Sequence, residues 1–196
     1  QFMQDAGPVG EGAMAAVLGL DDAAVTAVCE EASSAGSVVV PANFNAPGQV
    51  VIAGAATAVE RALELARERG ARRAIPLNVS APFHSPLMAP AREALEPHLR
   101  RATWRDPLVP IYRNVDAEPV RDAASNLDGV IRQVDAPVRW TDTVRRMVQD
   151  GVDTVVEVGA GAVLCGLARR IERGLRCYPA GTVEQIETVM KELGDG

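Results

Sequence analysis

The chain has 196 residues, with 20 Lys plus Arg against 26 Asp plus Glu, a formal charge of −6, and 47% hydrophobic residues. That much apolar material suits one full domain or two small ones and excludes disordered and collagen-like chains. An acidic balance argues against a nucleic-acid partner, and the lack of any run of about 18 apolar residues argues against a membrane span.

The opening, QFMQDAG, reads as the tail of a helix whose start is missing, and it lacks the basic-then-apolar order of a secretory leader. GAMAAVLGL follows as a strand. DDAAVTAVCEEASSAG is a helix with Asp21 as its cap and Val25, Val28, Cys29 and Ala32 on one apolar face. SVVVPANFNAPGQVVIAG gives two strands around a Pro47-Gly48 turn. ATAVERALELARERG is a second helix with Val59, Ala62, Leu63 and Ala66 on one stripe, and ARRAIPLNVS closes the block as a strand. The β-α-β-β-α-β order over residues 12–79 is the split βαβ, or ferredoxin-like, arrangement.

Residues 80–196 alternate differently. SPLMAPAREALEPHLRR is a helix with Ser85 as cap and Pro86 at its first position, kinked or bounded at Pro97. LVPIYRNV is a strand, and LDGVIRQV sets Leu127, Val130, Ile131 and Val134 on one face. RWTDTVRRMVQDG is a helix closed by Gly151, and DTVVEVG reads as a buried parallel strand. Gly159 and Gly161 lead into the helix AVLCGLARRIERG, and RCYPAG is a short strand. Thr182 and Gln185 form a capping box for a last helix whose buried stripe is Val183, Ile186, Val189, Met190 and Leu193. Alternating strand and helix implies a parallel sheet covered on both faces. Three strands are too few for such a sheet. The expectation is therefore the C-terminal portion of a larger α/β fold, with apolar faces of VVEVG and LVPIY left for the missing half; the alternative is a small, complete three-layer protein.

Few residues here carry chemistry. Cys29, Cys165 and Cys177 are far apart, odd in number and without CxxC spacing, which argues against a disulfide scaffold or a structural zinc and fits a reducing, cytoplasmic setting. Cys29 and Cys165 fall inside helices, where core packing explains them. His98 sits among Glu96, Arg100 and Arg101 as a surface histidine. His84 lies in NVSAPFHSPLM, just after a strand and stiffened by Pro82 and Pro86. It is either a general base or a buried structural histidine. No G-x-S-x-G elbow is present, and Ser80 and Ser85 are too close in sequence to His84 to serve as nucleophile. EVGAGAVLCGL lacks the third glycine of a phosphate-binding fingerprint and reads as a tight turn feeding a helix. Asn43 and Asn45 alternate in one strand, with Gln49 beyond the turn; they line a cleft or cap the turn. Metal ligands are not clustered, so no metal site is expected.

Four motifs in order, NFNAPGQVVIAG, IPLNVSAPFHSPLM, DAPVRWTDTV and VVEVGAGAVLCGL, resemble the bacterial malonyl-CoA:acyl-carrier-protein transacylases and the acyltransferase domains of polyketide synthases. The resemblance runs over nearly the whole chain. It implies a partial α/β-hydrolase-like parallel sheet with an inserted ferredoxin-like subdomain: residues 1–11 ending a truncated large-subdomain helix, 12–79 the small subdomain, and 80–196 the C-terminal part of the large one. It implies an enzyme that moves malonyl from malonyl-CoA, its substrate, to the phosphopantetheine thiol of acyl carrier protein through an acyl-serine, with no further cofactor. His84 matches the family's base, and the backbone carbonyl of Gln133 its orienting partner, the Gln133 side chain mattering little. Asn45 matches a residue near the entering thioester arm. Phe83 goes with malonyl preference. The serine elbow, the oxyanion donors and the arginine that pairs with the malonyl carboxylate should precede residue 1, so the missing N-terminal half is an expected partner and the chain alone is expected to be inactive. Two other classes fit the same residues: a carrier-protein docking module without catalysis, and a related thioesterase or hydrolase fragment.

Overall fold

A computed structural model describes residue 2, residues 11–79 and residues 81–194 of the chain. Most of the expected helix tail over residues 1–11 lies outside the described residues. The chain divides into two units, one ending at Thr143 and one beginning at Val144.

The first unit opens with β1 (Gly12–Leu18), α1 (Asp22–Ala32), β2 (Val39–Ala46), β3 (Gln49–Ala55), α2 (Ala56–Glu68) and β4 (Arg73–Pro76). The four strands form one antiparallel sheet in the order β2-β3-β1-β4. Local chemistry sets the ends. The Asp21 carboxylate accepts the Ala24 N–H at 2.7 Å and caps α1. The helix stops at Ala32 instead of running to Gly36, because Ser33 turns the chain: its hydroxyl donates to the Cys29 carbonyl and accepts the Val39 N–H. Gly48 takes the left-handed conformation the hairpin turn requires, with φ +72°.

Alternation divides the sheet into two apolar faces. Ala15, Val17, Val50 and Ile52 meet Val25, Val28 and Cys29 of α1 and Val59, Ala62, Leu63 and Ala66 of α2. Met14, Ala42, Val51 and Ala53 form a second cluster, against which Phe83 packs. With both faces covered, β3 reads as an unbroken apolar run. The last expected strand is shorter than its sequence suggests. It ends at Pro76, beyond which Leu77 and Val79 are exposed.

A 3₁₀ turn (Pro86–Met88) then leads into α3 (Ala89–Arg101), β5 (Ile111–Tyr112), β6 (Pro119–Val120), α4 (Ala123–Gln133) and α5 (Trp140–Gln149). Three expectations need correction or narrowing. Ser85 holds the N-cap position of the 3₁₀ turn, with Pro86 following, but its buried hydroxyl makes no cap bond and donates to the Pro82 carbonyl at 2.7 Å. Of the two alternatives at Pro97, the helix boundary is excluded, since Pro97 lies inside α3. The helical bond it forgoes is to Glu93, and both residues are exposed, so water can take the orphaned carbonyl. LVPIYRNV is not a long strand: only Ile111 and Tyr112 pair, with Val120 and Pro119, while Leu108 is 99% exposed. α4 begins earlier than the apolar pattern suggested because the Asp122 carboxylate accepts the Ser125 N–H at 2.7 Å.

Residues 137–139 run as a strap along the free edge of β2. Val138 bridges Asn43 in parallel, donating its N–H to the Ala42 carbonyl at 2.8 Å and accepting the Phe44 N–H at 2.9 Å. The Thr141 hydroxyl adds a bond to the Phe44 carbonyl at 3.0 Å.

The second unit holds β7 (Thr154–Val158), α6 (Val163–Ile171), β8 (Arg176–Ala180) and α7 (Val183–Gly194). β7 and β8 pair in parallel, Thr154 with Arg176 through Val158 with Ala180. The Thr182 and Gln185 side chains form the expected capping box. Val158 is 85% exposed, as expected of an apolar face left without cover, but the stripe expected to be buried on α7 is not: Val183, Ile186, Met190 and Leu193 are exposed, because nothing among the described residues covers them. Cys165 and Cys177 are joined in a disulfide, against the expectation of separate packing cysteines. Their separation of 12 residues spans α6 and the turn back into β8, which returns the chain to its starting point.

Candidate active site

The segment Ala81-Pro82-Phe83-His84-Ser85 is fixed from several sides. Ala81 and Pro82 are buried, the Pro82 ring lying against Gly12 of β1. Phe83 packs on the Met14–Val51 face of the sheet and also on a cluster of Ala81, Met88, Ala91 and Val134. The Ser85 hydroxyl closes the loop on the Pro82 carbonyl. Held in this way, His84 adopts φ +58°, a left-handed conformation that costs a non-glycine residue on the order of 1–3 kcal/mol.

The imidazole is half-buried, and its Nδ1 lies 3.0 Å from the backbone carbonyl oxygen of Gln133. Gln133 is the last residue of α4, where a helical carbonyl has no intrahelical partner. A carbonyl only accepts, so the contact is a hydrogen bond when Nδ1 carries the proton. In the neutral ring the Nε2 lone pair is then free to take a proton.

Around α4, Asp116 accepts hydrogen bonds from Arg113 at 2.6 Å and Arg132 at 2.8 Å. Burial pushes the Asp116 carboxyl up, but the bonds from Arg132, Arg113 and the Glu118 N–H outweigh it and hold the group below the usual carboxylate range. Arg113 also reaches the Ser125 carbonyl at 2.6 Å and lies over Gly129. Arg92 pairs with Asp135 at 3.1 Å, joining α3 to the turn after Gln133. Neither ion cluster was foreseen. The run of charges in YRNVDAEPVRD was its visible sign.

Of the residues singled out from sequence, the structure brings His84 and Gln133 into contact and packs Phe83 into the two neighbouring apolar clusters. The Gln133 side chain is not idle: its Nε2 donates to the carbonyls of Ala136 at 3.0 Å and Pro137 at 3.2 Å. Asn45 hydrogen-bonds to neither His84 nor Gln133 among the described residues. It falls at a register shift between Phe44 and Ala46, so strict alternation lapses and Asn43 and Asn45 need not share a face. Ser80 lies outside the described residues. His98 is exposed beside Arg101 and Phe2.

The glycine turn after β7 is not open to phosphate, since the Glu157 carboxylate already accepts the Leu164 and Cys165 N–H groups at the start of α6. Donor atoms of Glu157, Cys165 and Cys177 lie within 4.8 Å of one another, a cluster the sequence did not suggest. The disulfide and the two N–H bonds occupy all three residues. Cys29 is buried, and that burial, with the charge of Glu30, pushes its thiol up to about 12. It is no nucleophile at neutral pH.

Comparison with known proteins adds the following. The acyl transferase domain family matches residues 2–194. The malonyl CoA-acyl carrier protein transacylase of Bacillus subtilis (strain 168) is 43% identical over 193 residues, covering 98% of this chain and 61% of its own length. That of Escherichia coli (strain K12) is 49% identical over 171 residues, 87% of this chain and 55% of its own. Among solved structures, an acyl-carrier-protein S-malonyltransferase from Burkholderia pseudomallei 1710b superposes with a TM-score of 0.94 at 46% identity, over 97% of this chain and 62% of its own. A malonyl-transacylase in complex with a type II polyketide synthase acyl-carrier protein superposes equally well, with a TM-score of 0.94 at 40% identity over 97% of this chain and 62% of its own. The chain thus spans about three fifths of the length of these relatives.

Proposed function

Since the chain belongs to the acyl transferase domain family, we propose that it supplies the general base and one wall of the active site in an enzyme that transfers malonyl from malonyl-CoA to the thiol of acyl carrier protein. Residues 12–79 act as a ferredoxin-like small subdomain and residues 80–196 as the C-terminal part of an α/β-hydrolase-like large one. The four-strand order β2-β3-β1-β4 supports the first assignment and the parallel β7–β8 pair the second. The observation that carries the reading is the contact of His84 Nδ1 with the Gln133 carbonyl.

In this reading neutral His84 accepts a proton at Nε2 from a serine supplied by sequence outside this chain. The serine oxygen bonds to the malonyl carbonyl carbon, and the carbon–sulfur bond to coenzyme A breaks. The imidazolium returns its proton to the departing thiolate. The carrier-protein thiol then repeats the exchange in reverse, so the kinetics are ping-pong. A neutral carbonyl on Nδ1 fixes the tautomer without burying a carboxylate. Phe83 shapes the floor of the site by packing, which is how it favours malonyl. Asn45 lies along the path of the thioester arm. Without the serine and its oxyanion donors the chain alone turns nothing over.

The test is His84→Ala in the full-length enzyme, with serine acylation and carrier-protein transfer measured separately. Removal of a general base costs about 10²–10⁴-fold, and here the loss falls on both steps. Near-normal turnover in both steps overturns the reading.

A further inference from the structure

The Gln133 side chain does work that its backbone role does not explain. Gln133 ends α4, and beyond it the chain must turn back on itself to reach Val138, which is paired to β2. A carbonyl at a helix end is ordinarily the freest in the helix, because no following N–H holds it. Here the same residue fastens the turn that follows. Its amide Nε2 donates to both the Ala136 and the Pro137 carbonyl, at 3.0 and 3.2 Å. Pro137 has no N–H to give, so the turn cannot close on itself by a backbone bond at that residue. The two amide donations take its place.

We infer that the Gln133 carboxamide is a positioning residue: by clamping residues 136 and 137 it aims the carbonyl of its own residue at His84 Nδ1 and so selects the tautomer with a free Nε2. The inference rests on the proposed function above. Three observations favour it over a purely structural role. The clamp and the orienting carbonyl belong to one residue, so movement of one moves the other. The turn is independently tied to α3 by the Arg92–Asp135 pair at 3.1 Å and to β2 through Val138, so the fold does not hang on the amide. The His84 backbone is held between buried Pro82 and Ser85, the Ser85 hydroxyl donating to the Pro82 carbonyl at 2.7 Å, so the loop does not shift to follow a carbonyl that drifts.

The experiment uses Gln133→Met, which keeps length and volume but removes both N–H donors. The first readout is the tautomer of His84, read from the ¹⁵N shifts of its ring nitrogens in the full-length enzyme at alkaline pH. Wild type is expected as the Nδ1–H form, and Gln133→Met as a mixture with substantial Nε2–H. The second is turnover of the full-length enzyme. A misplacement of about 1 Å costs up to ~10²-fold, so kcat is expected to fall about 10- to 100-fold with KM for malonyl-CoA within about two-fold. Gln133→Leu also lacks the N–H donors, adds no charge, and gives the same readings should the methionine variant not fold. An unchanged tautomer with unchanged kcat overturns the inference. So does loss of folding in both variants, since the amide would then be holding the structure and not the ring. His84→Ala separates the two claims. If it is inactive while Gln133→Met is normal, only this inference falls; if His84→Ala is active, the proposed function falls first.

Discussion

Alanine at Gly12 is expected to disturb the histidine loop from the sheet below it. Gly12 is paired with Ala55 at the start of β1. A Cβ there would lie 2.4, 2.5 and 2.9 Å from three carbons of the Pro82 ring, where ordinary contact begins at 3.4 Å. The ring is closed and buried, so no rotamer relieves the clash, and Pro82 must move by about 1 Å, the difference of 3.4 and 2.4. Two energies compete. Alanine restrains the unfolded chain and gains about 0.4–1 kcal/mol, whereas overpacking costs about 1–3 kcal/mol. The net expectation is destabilisation of about 1–2 kcal/mol, measured by urea unfolding of the chain. Pro82 is two residues from His84, so the same shift should cost the full-length enzyme up to ~10²-fold in kcat. A Gly12→Ala protein as stable as wild type, with unmoved His84 ring resonances and normal turnover, refutes the packing argument.

Other outcomes follow from the same contacts. Asp116→Asn should cost about 1.5–3 kcal/mol at pH 7, as expected for hydrogen bonds to charged groups. Because folding lowers the Asp116 pKa, its stabilisation is present above the unfolded carboxylate range and is lost as pH falls through the folded value. Denaturant melts of the two proteins should therefore converge in acid; a constant gap across pH would contradict the assignment. The Cys165–Cys177 bond closes a loop of 12 residues, worth about 3 kcal/mol in the chain-entropy account. A dithiol reductant should lower the melting temperature of wild type and leave a Cys165→Ser, Cys177→Ser double variant unmoved. In the oxidised protein, thiol titration should find Cys29 silent until the chain unfolds.

What was legible in the sequence was what depends on near neighbours. The Asp21 cap, the Pro47-Gly48 turn and the helical stripes of α1 and α2 are local, and they specify the order of elements in the first block, though not the ends of α1 and β4 or the register shifts of β2. Features that depend on distant partners were not legible. His84 and Gln133 are 49 residues apart, and only the resemblance to a family suggested their contact. The cysteine pair was hidden because Cys165 sits on α6 and Cys177 on β8, and linear spacing does not show that the two elements fold back together. Apolar pattern also says which face seeks cover, but not whether cover exists. Val183, Ile186 and Met190 keep their helical spacing and remain exposed. The charge cluster around Asp116 was missed for a further reason: Arg113 and Arg132 flank it from different elements, and either alone reads as a surface residue.

The strap along β2 also bears on self-association. A sheet in the order β2-β3-β1-β4 has two outer strands, each a template on which another copy of the chain could add a strand. On β2, Val138 already occupies the Ala42 carbonyl and the Phe44 N–H, the groups a newcomer would need. β4 is guarded by different means: it is four residues long, starts at Arg73 and ends at Pro76, which has no N–H to donate. Strand addition needs an uninterrupted ladder, and each edge denies it, one by prior occupation and the other by brevity, charge and proline. Loosening the strap would open the longer of the two edges, so variants that free residues 137–139 should show their damage first as added association at high concentration.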